Sequence, residues 1–217
     1  MKSLISAAAM SLALAAGGAS AATFSGKFYD VGGYGQFLNP LTITGSPLAD
    51  SNAAVLGFLA GNPTPDATFT TAAIGYGRQN ISTLANFLGA GSVIEGDGAT
   101  SFLGSILTFT GKIKLAPGIN EFVVFSDDGF LLYIDNVLAG FYDGLRPPRP
   151  SDFVVEGGDT GGIVDFSLIY YEGSQIEAAL DVSLNGKILA PVPLPAGGLL
   201  LLGALGGIAA LRRRKTA

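Results

Sequence analysis

The segment Ser126-Asp127-Asp128-Gly129 holds the residue types most capable of chemistry in this chain. It directly follows the apolar run Phe122-Val123-Val124-Phe125. Two adjacent carboxylates beside apolar sequence repel one another and lose hydration unless something neutralises them. Neighbouring side chains of an extended strand point to opposite faces. Both carboxylates can face one ion only if the backbone kinks, and an unusual peptide conformation is one way to achieve that. The ion expected from such oxygen ligands is calcium, which accepts carboxylates, carbonyls and waters at about 2.3–2.6 Å. The plainer alternative is a solvated Asp-Asp-Gly turn that binds nothing.

Composition narrows the chemistry further. The 217 residues include no His, Cys or Trp. That excludes His-based acid–base catalysis, Cys nucleophiles, disulfides and His/Cys zinc sites. Any metal must therefore be held by oxygen. All 17 acidic residues lie between Asp30 and Asp181, whereas five of the 12 cations (Lys2, Arg212, Arg213, Arg214 and Lys215) sit at the ends. The body keeps seven cations against 17 acids, a net charge of −10. Nucleic acid is the wrong partner for that sign. A hard cation or a neutral sugar suits it better. No acidic pair stands out by spacing as a glycosidase dyad, which needs carboxyls about 5–10 Å apart. Neither a Gly-x-Ser-x-Gly elbow nor a phosphate-cradling loop occurs. The chain is expected not to be an enzyme.

Both ends read as address labels. Residues 1–21 combine Lys2, an apolar run from Leu4 to Ala16, and Ala19-Ser20-Ala21, which is the pattern of a signal peptide cleaved after Ala21. Residues 194–211 carry no charge over 18 positions. As a helix they span about 27 Å, just enough for a hydrocarbon core of about 30 Å. The basic stop at 212–215 would hold the tail inside and leave the body outside the cytoplasm.

The elements that must position the carboxylates lie between these ends, in residues 22–190. Gly 32 and Pro 11, with 13% charged residues, point to a turn-rich β protein. The pattern predicts a first strand and turn over Phe24 to Tyr34, and a short helix over Asn52 to Leu59. It also predicts a strand over Ala67 to Ala73, and a helix over Asn80 to Leu88 with Asn80 or Ser82 as N-cap and Gly89 as stop. From Ser105 onward, short strands follow one another at intervals of roughly 8–12 residues, the mark of a sandwich or barrel. Glu121 to Phe125 is one such strand. Leu131 to Ile134 and Val137 to Phe141 form a hairpin about Asp135-Asn136, a two-residue turn that tolerates positive φ. Leu145 to Asp152, with its prolines, reads as an irregular loop. Ile163 to Tyr171 and Ala178 to Leu184 read as the last hairpin. The expected fold is mainly β: one antiparallel sandwich or barrel with one or two short helices.

Two resemblances add to this reading. The run from Phe122 through Ser126-Asp127-Asp128-Gly129 to Tyr133-Ile134-Asp135-Asn136 resembles the protective-antigen-type domain family. So does Ile169-Tyr170-Tyr171-Glu172-Gly173 followed by Ala178 to Ser183. The match runs over about 109–189, with Asn136 where the family usually has glycine. It implies a β-barrel or sandwich of a kind often used to bind carbohydrate. In the family's yeast adhesins the adjacent Asp pair is joined by a cis peptide and holds calcium that binds sugar hydroxyls. Carried over, Asp127 and Asp128 are the expected calcium ligands, with Asp143 and Glu172 as weaker candidates. Many members use the Asp-Asp turn structurally instead. Phe141 and Tyr142, with the prolines of Leu145 to Pro150, could wall the site and stack on a sugar, or could be ordinary barrel residues. Arg146 and Arg149 are expected to answer nearby carboxylates.

Residues 191–217 resemble the bacterial PEP-CTERM sorting tails, with Val192-Pro193-Leu194-Pro195-Ala196 similar to their VPLPA subclass. This implies an exosortase-type processing protease as partner. It also implies transient anchoring in the inner membrane with the body in the periplasm, then release to the cell surface or extracellular matrix. A plain single-pass anchor is the alternative. The function expected from all of this is that of an exported surface or matrix protein that binds polysaccharide in a calcium-dependent way, or of a purely structural one.

Overall fold

The alternation of apolar residues fixes the two longest strands. In a computed structural model, which describes residues 22–31, 51–80, 83–173 and 177–193, β5 (Ser105–Leu115) and β10 (Gly162–Glu172) pair antiparallel in register from Leu115↔Gly162 to Ser105↔Glu172. Leu107, Phe109 and Ile113 of β5, and Phe166, Leu168 and Tyr170 of β10, all point to one buried side. Around this pair the remaining strands are β1 (Phe24–Asp30), β2 (Ala67–Thr71), β3 (Gly75–Gln79), β4 (Ser92–Gly96), β6 (Ile119–Asp127), β7 (Phe130–Ile134), β8 (Val137–Tyr142), β9 (Arg149–Glu156), β11 (Ala178–Leu184) and β12 (Lys187–Ile188). The helices are α1 (Ser51–Gly61) and α2 (Leu84–Leu88).

One sheet has the order β4-β2-β1-β5-β10-β7-β8, the other β12-β11-β6-β9, with β3 added on β11. The mainly-β antiparallel architecture read from the sequence is therefore the one found. The core between the sheets is aromatic: Phe24, Phe28, Phe69, Phe109, Phe122, Phe130 and Phe166 are all buried. Each such side chain contributes about 1.5–3 kcal/mol by leaving water, and no disulfide is available to share that task. A second buried cluster (Tyr29, Val55, Ile106, Leu131, Ile169 and Tyr171) lies on the other side of the seven-stranded sheet, with Val55, Phe58 and Leu59 of α1 packed into it.

Several local expectations change. Leu145 to Asp152 is not wholly a loop, because β9 begins at Arg149 and pairs with β6 from Ser126↔Arg149 to Ile119↔Glu156. Pro150 is tolerated there because β9 is the edge of its sheet, where one missing N–H goes unused. Strands β3 and β4 carry glycine and little alternation, so periodicity gave no sign of them. Helix α2 is shorter than the periodicity suggests and is capped by Thr83, whose hydroxyl accepts from the Asn86 N–H, rather than by Asn80 or Ser82. Gly89 ends it as expected. The Asp135-Asn136 turn has φ of 48° and 64°, both positive as the hairpin needs. The expected signal peptide and the span 194–211 with its basic stop lie outside the described residues, as do Leu194, Pro195 and Ala196 of the sorting motif. Among the described residues no helix is long and apolar enough to cross a membrane.

Candidate functional site

The kink demanded by the adjacent acids has a topological cause. β6 belongs to one sheet and β7 to the other. Asp127 closes β6 and Phe130 opens β7, so the chain crosses the sandwich within Asp128 and Gly129. The Ser126 hydroxyl pins this crossing by donating to the Asp128 carbonyl at 2.7 Å. Gly129 is required by space: a Cβ there would sit 2.0 Å from the buried Tyr171 hydroxyl. No cis peptide bond occurs among the described residues, so the Asp127–Asp128 peptide is trans and departs from the geometry the resemblance implied.

The end of β10 supplies the third acid. Strand alternation puts Tyr170 and Glu172 on the same inward side. Asp127, Asp128 and Glu172 are all buried, and one carboxylate oxygen from each lies within 4.8 Å of the others. Oxygens bound to one calcium at about 2.3–2.6 Å are at most about 5.2 Å apart. The spacing and the all-oxygen donor set therefore fit one hard cation. Ser105, opposite Glu172 in the β5–β10 ladder, has a buried hydroxyl without a protein partner. A buried hydroxyl of this kind, in register with Glu172, is one that a water or a ligand can satisfy.

Protein groups already hold part of this charge. The Asp128 Oδ1 accepts from the Arg146 backbone N–H at 2.9 Å, and its Oδ2 from the Gly173 N–H at 2.7 Å. The Arg146 guanidinium is buried among the same residues. It donates to the Ser126 carbonyl at 3.2 Å, the Ser126 hydroxyl at 2.7 Å and the Ser151 hydroxyl at 2.8 Å, and stacks 4.1 Å over the Tyr142 ring. Burial, and then the charge of Arg149, lower its pKa; Tyr142, Asp127 and Asp128 oppose that shift. Tyr170 donates its hydroxyl to the Asp127 carbonyl, and its hydroxyl oxygen lies 2.8 Å from Glu172 Oε2. Burial, with Glu172 next, raises the Tyr170 pKa well above its ordinary value.

Burial pushes the Asp127 carboxyl up to about 7, helped by Asp128 and then by Glu177. Arg78, ion-paired with Glu177 beside it, acts in the opposite direction. Burial, more than any neighbouring charge, thus disfavours the ionised form of Asp127.

The weaker sequence candidates divide. Glu172 joins the Asp pair. Asp143 does not belong to the cluster; its Oδ1 accepts from the Asn52 N–H at 2.9 Å and so satisfies the first turn of α1. Phe141 is 57% exposed at the sheet edge, opposite Leu131. Tyr142 is half-buried with its ring engaged by Arg146 and Arg149, so it supports the turn instead of offering a free wall. Arg146 meets Asp128 through its backbone N–H, while its guanidinium donates to Ser126 and Ser151 and not to a carboxylate. Tyr170 and the Gly173 amide were not anticipated. The alternation of β10 could have flagged Tyr170, whereas nothing local points to Gly173.

No family profile and no curated protein sequence matches the chain. Solved structures do match in shape. The chain is similar to the PA14 sugar-binding domain of an RTX adhesin, with 22% identity and a TM-score of 0.57 over 79% of this chain and 95% of that one. It is also similar to the PA14 domain of the antifreeze protein MpAFP, with 20% identity and a TM-score of 0.56 over 77% of this chain and 85% of that one. The fold is PA14-like. PA14 is the protective-antigen-type domain that the Ser-Asp-Asp-Gly run resembled, and the likeness now extends well before residue 109. At this identity it speaks for the PA14 fold alone.

Proposed function

We propose that this protein is an exported, non-catalytic component of the cell surface or extracellular matrix. Its PA14-like domain binds calcium through Asp127, Asp128 and Glu172 and uses the ion to hold polysaccharide hydroxyls. The observation that carries this reading is the meeting of three buried carboxylates within 4.8 Å, with the orphaned Ser105 hydroxyl beside Glu172. The adhesin neighbour described as sugar-binding supports the choice of carbohydrate as partner. Export rests on the sequence of residues 1–21. Surface delivery by an exosortase-type protease, after anchoring through residues 194–211, rests on the tail.

One observation favours a second reading. Both oxygens of Asp128 already accept backbone N–H groups, and a buried guanidinium sits on Ser126. In that reading the turn is structural and the protein is a passive matrix component. Calcium titration of the chelator-treated full chain separates the two. Ion binding that Asp128→Ala abolishes, with glycan-array signals present in calcium and lost in chelator, supports the first reading. A ligand at a hundred times its dissociation constant adds about 2.7 kcal/mol to stability. An unchanged unfolding midpoint at millimolar calcium leaves the structural reading standing.

A further inference from the structure

Among the described residues, helix α1 covers only part of the outer face of the seven-stranded sheet. It does so with Val55, Phe58 and Leu59. Beside it runs an open groove of about 470 Å³, lined by Ser25, Thr68, Thr70, Thr108, Thr110 and Ser167. Four of these hydroxyl residues form one cross-strand row, Thr70–Ser25–Thr110–Ser167, over β2, β1, β5 and β10. At about 4.8 Å per strand the row is about 14 Å long. A second row runs Thr68–Lys27–Thr108. Of these groove hydroxyls, only that of Thr110 has a partner among the described residues, the Ser25 carbonyl at 3.4 Å. The remaining hydroxyls are available as donors and acceptors. Leu59 and Ile169 give the groove an apolar margin.

Its charge separates it from the rest of the molecule. Lys27 and Glu95 are its charged residues and have opposite signs. In a body of net charge −10 this is a neutral strip, so it does not suit a cation. It suits a ligand that is itself neutral, elongated, hydroxylated and apolar on its C–H faces. We propose that this groove is a second, cation-independent binding site for a neutral polysaccharide chain. It is separate from the carboxylate cluster: Ile169, its lining residue nearest to Glu172 along β10, is three residues away, about 10 Å along the strand, and on the opposite face of the sheet.

The test uses the full chain in a polyoxyethylene detergent, with affinity electrophoresis in hydroxyethylcellulose and in laminarin, each with chelator and with calcium. The wild type is expected to be retarded by at least one of these neutral glucans in chelator. The triple variant Thr108→Val, Thr110→Val, Ser167→Ala keeps shape and strand preference but removes three hydroxyls. Its apparent affinity in chelator is expected to fall about tenfold or more. Should the triple variant unfold early, Thr108→Val and Ser167→Ala are read singly, each with a smaller loss. Absence of retardation of the wild type in chelator overturns the proposal, whatever calcium does. Equal retardation of wild type and variants also overturns it. Retardation that needs calcium and that the triple variant keeps belongs to the carboxylate cluster and likewise overturns the proposal.

Discussion

Replacing Asp127 by Asn removes one negative charge from the carboxylate cluster while keeping its shape. In the folded chain this carboxyl gains its proton near pH 7, against an ordinary value of 3.8. Between those values the folded state holds a proton that the unfolded state has released, so stability falls as pH rises through that window. Below about 3.8 the cost is absent; above about 7 it is complete. At 1.36 kcal/mol per pH unit the interval amounts to about 4 kcal/mol. The neighbouring Arg78 side chain is 62% exposed, so water screens this region, and about 1–2 kcal/mol is the realistic net cost. Asp127→Asn should therefore raise the unfolding midpoint by a few degrees at pH 8 in chelator and leave it nearly unchanged at pH 4. In calcium the order should reverse, because the wild type gains an ion that the variant holds poorly. Thermal unfolding followed by circular dichroism at both pH values, with and without calcium, reads all of this. A variant less stable than wild type in chelator at pH 8 would show that the Asp127 carboxylate is already well compensated, and would refute the reasoning.

Two further substitutions test the frame around the cluster. Arg146→Met removes the buried guanidinium with its bonds to Ser126 and Ser151 but keeps the backbone N–H on Asp128, and at about 1–3 kcal/mol for each buried acceptor left unpaired it costs about 3–5 kcal/mol. In chelator the midpoint should fall by roughly ten degrees, and millimolar calcium should restore part of it by supplying the missing positive charge. Gly129→Ala places a methyl group 2.0 Å from the buried Tyr171 hydroxyl. Overpacking of this kind costs about 1–3 kcal/mol, so the midpoint in urea should drop without a change in the slope of the transition.

What could be read from the sequence was governed by range. Strands β5, β6, β10 and β11, of 7 to 11 residues, carry their own signal, and the Asp135-Asn136 turn is set by two residues that accept positive φ. Strands β3 and β4 are held by their partners rather than by their own pattern: Arg78 pairs with Ala179, and Ile94 with Phe69. The Asp127-Asp128 pair was visible because adjacent acids beside apolar sequence are costly wherever they fall. Glu172 could only be a weak candidate, since it is 44 residues from Asp128 and reaches it only because β10 and β6 end side by side in different sheets. Asp143 had equal local credentials but is drawn to the start of α1 by the Asn52 N–H. A carboxylate's role was thus decided by which buried donor or acid lay nearest, and that is a property of the fold.

The two functional readings part at one point of charge accounting. Arg146 brings one positive charge to a site with three carboxylates. The amides of Arg146 and Gly173 satisfy one lone pair on each oxygen of Asp128. A carboxylate offers about four such positions, so those bonds orient Asp128 without exhausting it. They preorganise a ligand more readily than they replace an ion. Asp127 carries the negative charge that burial most disfavours, and a proton or a cation there would offset it. The elevated Asp127 value describes the protonated solution, and the orphaned Ser105 hydroxyl shows what that solution leaves unused. A cation would use both, and would tie the end of β6 to the end of β10 across the two sheets of the sandwich.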